Sequence, residues 1–348
     1  MERGWEQRDQ SYDGIFFVGV KTTGILCRPS CPSKPKREHV EFFRTIAEAI
    51  SAGYRPCKRC HPELVNGQPP EWITALMERV NADPSLKLSA AALRGGDVTP
   101  ERVRRWFQKN YGMTFAQWSR GLRLSRAFTQ LRNGAPKEDV MLANGFQSHS
   151  GFAEALTRAL GESGSEKNRD SCIYMSMIKT PIGPLVAAAN ETGVCLLEFA
   201  DRRGLESSYR QIRTRFDAGV LPGENAVLKQ LKHELNRYFA GELRDFATPV
   251  ILRGTSFQEN VWRELRKIPH GETVSYEEIA GRVGNPRAVR AVARANGTNR
   301  VCILIPCHRV IAKDGTLSGY GGGVWRKRLL LDLERRGGRA IPGAVFGH

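Results

Sequence analysis

Four cysteines near the start of the chain set the tightest constraint on its fold. Cys27 and Cys31 bracket Arg28-Pro29-Ser30, and Cys57 and Cys60 bracket Lys58-Arg59. Two close pairs separated by a domain-sized gap suit one tetrahedral zinc ion held by four sulfurs. The block that carries them runs to about Leu64. A block this small needs such a staple, because an apolar core of its size stabilises little. Spacing by itself describes a structural zinc site.

The chain of 348 residues is long enough for two or three domains. Its 53 Lys and Arg against 36 Asp and Glu give a net charge of +17. An excess of this size attracts a polyanion, and its spread through globular patterns points to nucleic acid. No lone basic amphipathic helix suggests a membrane surface. No apolar leader or long apolar span is evident, so we expect neither secretion nor membrane insertion. The expected location is the cytoplasm, associated with the nucleoid. A reducing compartment also suits reactive and metal-bound thiols better than disulfides among the eight cysteines.

Three blocks can be separated. Asn66-Gly67-Gln68-Pro69-Pro70 reads as a turn-rich linker after the first. The second, from about Glu71 to Leu160, reads as mostly helical. Leu88 to Leu93, a break at Gly95-Gly96, and a helix opening at Thr99-Pro100-Glu101 have helix–turn–helix rhythm. A weaker echo runs from Val140 through Asn144-Gly145-Phe146 to a helix near Ser148. The basic, helix-prone stretch Arg120 to Leu131 joins the two. Gly161 to Asn168 reads as a second linker. The third block starts near Cys172 with strand-like runs around Leu185-Val186-Ala187 and Val194-Cys195-Leu196-Leu197, then turns helical from about Phe257.

Within that block, Ile303-Leu304-Ile305-Pro306-Cys307-His308-Arg309-Val310 places a cysteine between an apolar β-branched run and two basic residues. A strand would hold the Cys307 thiol at its rim, and the basic neighbours would favour the nucleophilic thiolate. Cys302 reads as a small buried hydrophobe.

This run resembles the active-site motif of the O6-alkylguanine-DNA alkyltransferases. The resemblance extends through Gly254 to Gln258, Ile268 to Tyr276 and Asn285 to Val292. It implies that Cys307 accepts an alkyl group from an extruded base, with His308 removing the thiol proton and Glu334 orienting His308. Asn299 would brace the active-site turn. Tyr276 would crowd the target phosphate and protonate the departing guanine. Arg290 would fill the space left by the base, and Tyr320 with Gly321-Gly322-Gly323 would line its pocket. The Val289 helix, rich in small residues, would enter the minor groove. A thioether product implies one alkyl group per cysteine and no turnover.

Asp13-Gly14, Thr22 to Cys31 and Tyr54 to Cys60 resemble the N-terminal domain of the Ada family. The resemblance implies that Cys27 is both a zinc ligand and the acceptor of a methyl group from a backbone methylphosphotriester. Cys31, Cys57 and Cys60 would complete the ligand set, and Thr23, Lys34 and Arg55 would contact DNA. The middle block resembles AraC-type DNA-binding domains, through Phe107, Tyr111 to Thr114 and Asn144 to Phe146. Arg102, Arg104 and Arg105 would lie on the first groove-entering helix. The usual closing motif after Gly161 is missing.

The expectation is therefore a multidomain α+β protein. Residues 1–66 form a small zinc-bound α/β domain, and 71–162 an all-α AraC-like helix-turn-helix domain. Residues 172–250 form an α/β ribonuclease-H-like subdomain, and 251–340 a winged helix-turn-helix-like active-site subdomain. The expected activity is single-turnover transfer of methyl groups from O6-methylguanine, O4-methylthymine and methylphosphotriesters to cysteine, with methylation switching on transcription. Expected partners are double-stranded DNA and RNA polymerase, acting on a monomer; zinc is the expected cofactor, and no organic one. Repair without regulation, and a zinc-dependent transcription factor with an inactive alkyltransferase-like domain, are the competing expectations.

Overall fold

The computed structural model describes residues 1–8, 12–14, 16–62, 69–83, 99–160, 172–202, 205–216, 218–317 and 319–335. The first unit holds α1 (Glu2–Glu6), β1 (Phe17–Val20), β2 (Ile25–Cys27), β3 (Val40–Phe43), α2 (Ile46–Ser51) and β4 (Arg55–Pro56). The strands form one sheet in the order β3-β1-β2-β4, with β4 parallel to β2 and the other pairs antiparallel. Every residue of β1 is buried because both sheet faces are covered. Phe17 and Leu26 pack with Ala49 of α2 and Tyr54. Phe16 and Val18 pack with Cys27, Cys31 and Val40 on the other face. The cysteine cluster thus replaces part of a core that is small on both sides.

The helical unit comprises α3 (Glu71–Ala82), α4 (Pro100–Tyr111), α5 (Phe115–Arg132), α6 (Lys137–Ala143) and α7 (His149–Leu160). Thr99 caps α4 by accepting from the Arg102 N–H, with Pro100 in the first turn. Gly112 ends α4 in the left-handed region, at φ 63°. Phe107, Tyr111, Phe115 and Trp118 then lock α4 against α5. Phe146 and Phe152 make the matching contact ahead of α7, edge to face at 4.8 Å. The expected helix at Leu88 to Leu93, its Gly95-Gly96 break and the Gly161 to Asn168 linker lie outside the described residues, as do Asn66, Gly67 and Gln68 of the first linker.

The third unit contains β5 (Ile173–Ile178), β6 (Leu185–Asn190), β7 (Gly193–Phe199), α8 (Leu205–Phe216), β8 (Val220–Pro222) and α9 (Ala226–Phe239). Its sheet runs β7-β6-β5-β8, antiparallel except for the β5/β8 pair. Helix formation therefore begins well before Phe257, which corrects the expectation. Both early helices carry apolar residues at helical spacing, Leu205, Tyr209 and Ile212 on one and Val227, Leu231, Leu235 and Tyr238 on the other.

The two sheet faces serve different neighbours. Met175, Val186, Ala188 and Leu196 share a core with α8 and with Phe107 and Trp118 of the helical unit. Tyr209 hydroxyl donates to the Asn110 carbonyl across this junction. Tyr174, Leu185, Ala187 and Leu197, alternating with the first set, share a core with α9 and the C-terminal unit.

That last unit has α10 (Ser256–Arg266), β9 (Val274–Ser275), α11 (Tyr276–Arg282), α12 (Val289–Gly297), β10 (Val310–Ile311) and α13 (Val324–Arg335). Reciprocal caps at Thr255/Gln258 and Ser275/Glu278 fix the starts of α10 and α11. The run before Cys307 is not a strand. Ile303 and Leu304 form a turn, Ile303 at φ 71°, and Cys307 to Arg309 form one 3₁₀ turn. Its apolar residues are there for burial, since every residue from Val301 to Val310 is buried. No helix among the described residues is long and apolar enough to cross a membrane.

Two candidate thiol centres

The first centre surrounds Cys307. The thiol is 6% exposed and sits at the start of the 3₁₀ turn. Asn299 braces that turn from three sides. Its Nδ2 donates to Cys307 Sγ at 3.0 Å and to the Ile305 carbonyl at 2.9 Å, while its Oδ1 accepts from Val301 N–H. His308 is fully buried, with Nε2 2.9 Å from Glu334 Oε1. Its Nδ1 is buried without a protein partner, which leaves room in the hydrogen-bond inventory for a water or a substrate.

Glu334 is buried, not a surface residue of the last helix. Besides His308, it accepts from Arg309 Nε and Nη2 at 2.9 and 3.0 Å, Gly271 N–H at 3.1 Å and Tyr238 hydroxyl at 2.8 Å. Burial alone would raise its carboxyl, but the His308 and Arg309 contacts hold it well below the carboxylate range. Burial lowers His308, opposed by Glu334. Burial also raises the Cys307 thiol, opposed by the Asn299 hydrogen bond and the Arg202 charge. This corrects the expectation that basic neighbours favour the thiolate. Arg309 spends its charge on Glu334, and His308 is poised to stay neutral. Such an array is suited to accepting a proton from the thiol at the moment of attack, rather than to storing a thiolate. Cys302 is a buried thiol pushed well up by burial, as its reading as a hydrophobe requires.

Cys307 opens on a cavity of about 640 Å³ lined by Tyr276, Arg290, Ala293, Asn296, Gly297 and Tyr320. Arg290, Ala293 and Gly297 lie on the exposed side of α12. Ala293 and Gly297 therefore face outward, where side chains this small permit close approach to a groove. Gly319, Gly321 and Gly322 line the opposite wall beside Tyr320, whose hydroxyl is buried without a protein partner.

Three contributors escaped the sequence reading, and a fourth, Arg309, was read only as a basic neighbour of the thiol. Arg309 and Tyr238 complete the Glu334 array. Arg202 pairs with buried Glu198 and donates to the Asn299 and Gly297 carbonyls. Lys327 is buried, donates to the Val310 carbonyl at 2.6 Å, and is lowered to about 8 by burial. Arg309 alone had a local signal, its place in the motif. The others depend on contacts distant in sequence.

The second centre is the cysteine cluster. The sulfurs of Cys27, Cys31, Cys57 and Cys60 all lie within 4.8 Å of one another. A tetrahedral zinc with bonds of about 2.3 Å needs sulfurs about 3.8 Å apart, so the set fits. Arg28 N–H points to Cys60 Sγ at 3.3 Å and Arg59 N–H to Cys57 Sγ at 3.4 Å, as thiolate ligands favour. The hydrogen bond with Cys31 pushes the Cys27 thiol up to about 12, so this thiol needs a cation beside it to ionise at neutral pH. Cys27 and Cys31 are buried, Cys57 and Cys60 half-buried. Thr23, Lys34 and Arg55 are exposed on this unit, and Arg102, Arg104 and Arg105 on α4. Glu101 pairs with both Arg104 and Arg105.

Fold and sites together define a multidomain protein with two unlike thiol centres, one a four-sulfur cluster and one a buried hydrogen-bonded array. Residues 2–63 match the metal binding domain of Ada, and 96–169 a helix-turn-helix domain. Residues 173–252 match the ribonuclease-like domain of 6-O-methylguanine DNA methyltransferase, and 256–336 its DNA binding domain. The chain is 35% identical over 333 residues to the bifunctional transcriptional activator/DNA repair enzyme Ada of Escherichia coli (strain K12), covering 94% of this chain and 93% of that protein. It is 48% identical over 165 residues to a methylated-DNA–protein-cysteine methyltransferase of Mycobacterium tuberculosis (strain ATCC 25618 / H37Rv), covering 47% and 93%. The crystal structure of Mycobacterium tuberculosis OGT in complex with DNA is 43% identical, covers 49% of this chain and 96% of that one, and has a TM-score of 0.42. The chain belongs to the Ada family.

Proposed function

We propose that this chain repairs alkylated DNA by accepting methyl groups irreversibly on Cys307 and Cys27, and that methylation of Cys27 turns it into a transcriptional activator. The observation that carries the reading is the buried Asn299–Cys307–His308–Glu334 array opening on a cavity whose rim is the exposed small-residue face of α12.

A base must leave the stack to reach a buried thiol. Arg290 fills the gap it leaves, Tyr276 crowds the target phosphate, and Tyr320 lines the base pocket beside Cys307. His308 takes the thiol proton through a water on Nδ1, and Glu334 steadies the imidazolium. The sulfur then attacks the methyl carbon of O6-methylguanine or O4-methylthymine. The S–C bond forms as the C–O bond breaks, and the electron pair leaves with the base, which Tyr276 reprotonates. Arg202, Arg309, Tyr238 and Lys327 keep the array in place.

Zinc, when bound, keeps the four cysteine thiols deprotonated at neutral pH. Cys27 accepts the methyl group of a phosphotriester, with Cys31, Cys57 and Cys60 as the other ligands. Thr23, Lys34 and Arg55 hold the DNA backbone. Four thiolates around a dication carry a formal charge of about −2, and methylating one removes a negative charge. Repulsion of phosphate falls and DNA affinity rises. Helices α4 and α7 then read a promoter in the major groove, with Arg102, Arg104 and Arg105 on α4.

The domains are those expected at 1–66, 71–162, 172–250 and 251–340. The protein works as a monomer in the cytoplasm, at the nucleoid, and engages RNA polymerase once methylated. Peptide mass spectrometry after incubation with methylated DNA tests the reading. Methyl adducts on Cys27 and Cys307 are expected. An adduct on Cys307 alone makes the zinc site structural, and none on either overturns the proposal.

A further inference from the structure

One buried acceptor at the Cys307 cavity has no part in that mechanism. Asn296 lies on α12, is 5% exposed and lines the cavity. Its Nδ2 faces the Cys307 carbonyl at 3.4 Å. A carbonyl only accepts, so the amide must turn its NH₂ that way, which makes the other terminus an acceptor. That Oδ1 is buried and has no hydrogen-bond partner. His308 Nδ1 and Tyr320 hydroxyl are also unpartnered there. The first belongs to the proton path, and the second can donate or accept, so neither demands one kind of ligand. Asn296 Oδ1 demands a donor, because an unpaired buried acceptor is costly.

The lesions differ in what they offer. Alkylation at O6 leaves guanine N1 without hydrogen, so the 2-amino group is the only N–H donor on the base. O4-methylthymine has no N–H donor at all. We propose that Asn296 is a specificity-determining residue whose Oδ1 accepts from the 2-amino group of the extruded O6-methylguanine, favouring that lesion over O4-methylthymine. The inference rests on Cys307 being the acceptor for base lesions.

The test uses the full zinc-loaded chain in single-turnover methyl transfer from three duplexes. They carry O6-methylguanine, O6-methylhypoxanthine, which differs only in lacking the 2-amino group, or O4-methylthymine. The wild-type protein is expected to prefer O6-methylguanine over O6-methylhypoxanthine by about tenfold, the size of one neutral hydrogen bond. Asn296→Leu, similar in volume, should bring that ratio to about one, and Asn296→Ser should lower it. Both rates come from one preparation, so partial misfolding cancels in the ratio. An unchanged ratio, or an equal fall on all three lesions, would mean that Oδ1 meets only water and would overturn the proposal. No methyl on Cys307 from any lesion would overturn the reading beneath it, and this inference too.

Discussion

Removing one hydroxyl should disturb both the stability and the pH response of the Cys307 centre. Tyr238 is on α9, in the subdomain that lacks the reactive thiol, yet its hydroxyl donates to Glu334 Oε1 at 2.8 Å inside the core. Tyr238→Phe deletes that donor and leaves the ring packing intact. A hydrogen bond to a charged group contributes ~1.5–3 kcal/mol. Glu334 keeps its His308, Arg309 and Gly271 donors, so no charge is left unpaired and the lower end applies, about 1.5–2 kcal/mol. For a unit of this size that lowers Tm by about 3–8 °C. With one donor fewer, the carboxylate pulls harder on the His308 proton and stabilises the imidazolium. The acid limb of the single-turnover rate should therefore move to higher pH. Thermal melts and a pH–rate profile on an O6-methylguanine duplex check both effects. A variant with wild-type Tm and an unmoved acid limb would refute the assignment of Tyr238 to this array. A lower Tm with an unmoved limb would reduce it to a packing residue.

Glu334→Gln leaves Arg309 buried without its counter-charge, so a loss of about 3–5 kcal/mol is expected in denaturant unfolding, with methyl transfer to Cys307 strongly slowed. Folded His308 and Glu334 both bind protons less readily than in the unfolded chain, so stability rises with pH. Melts should show stability falling as pH drops below the ordinary His value of 6.5, and again below the ordinary Glu value of 4.5. Chelating zinc should unfold the first unit, seen by hydrogen exchange over Phe17 to Cys60, while Cys307 still accepts methyl groups; loss of both together would contradict the separation of the two centres. Gly112→Ala places a Cβ 2.7 Å from the Tyr209 ring at a φ of 63°, so it should loosen the helical unit from α8. Faster proteolysis between the two units would show this, and an unchanged cleavage pattern would not fit the contact.

Much of the site was legible because it is local. Pro306-Cys307-His308-Arg309 is one turn of chain, and the paired cysteines lie a few residues apart. The helix start at Thr99 was readable for the same reason, since a cap depends on residues three apart. The early helices of the third unit and the turn at Ile303 were misread. Apolar β-branched residues signal burial, and burial is met equally by a strand or by a buried turn whose amides find other partners. Leu197 N–H pairs with the Arg300 carbonyl, and Cys302 N–H with the Leu197 carbonyl.

The sequence alone determined which cysteines gather and which one sits beside a histidine and an arginine, because covalent spacing constrains both. Only the tertiary structure decided the state of those atoms. Cys307 is a buried, protonated thiol because the core closes over it, and Glu334 is a carboxylate because Tyr238, Gly271, His308 and Arg309 converge on it from separate elements. Desolvation and hydrogen-bond partners act through space, so a titration state is a property of the fold and not of neighbours along the chain.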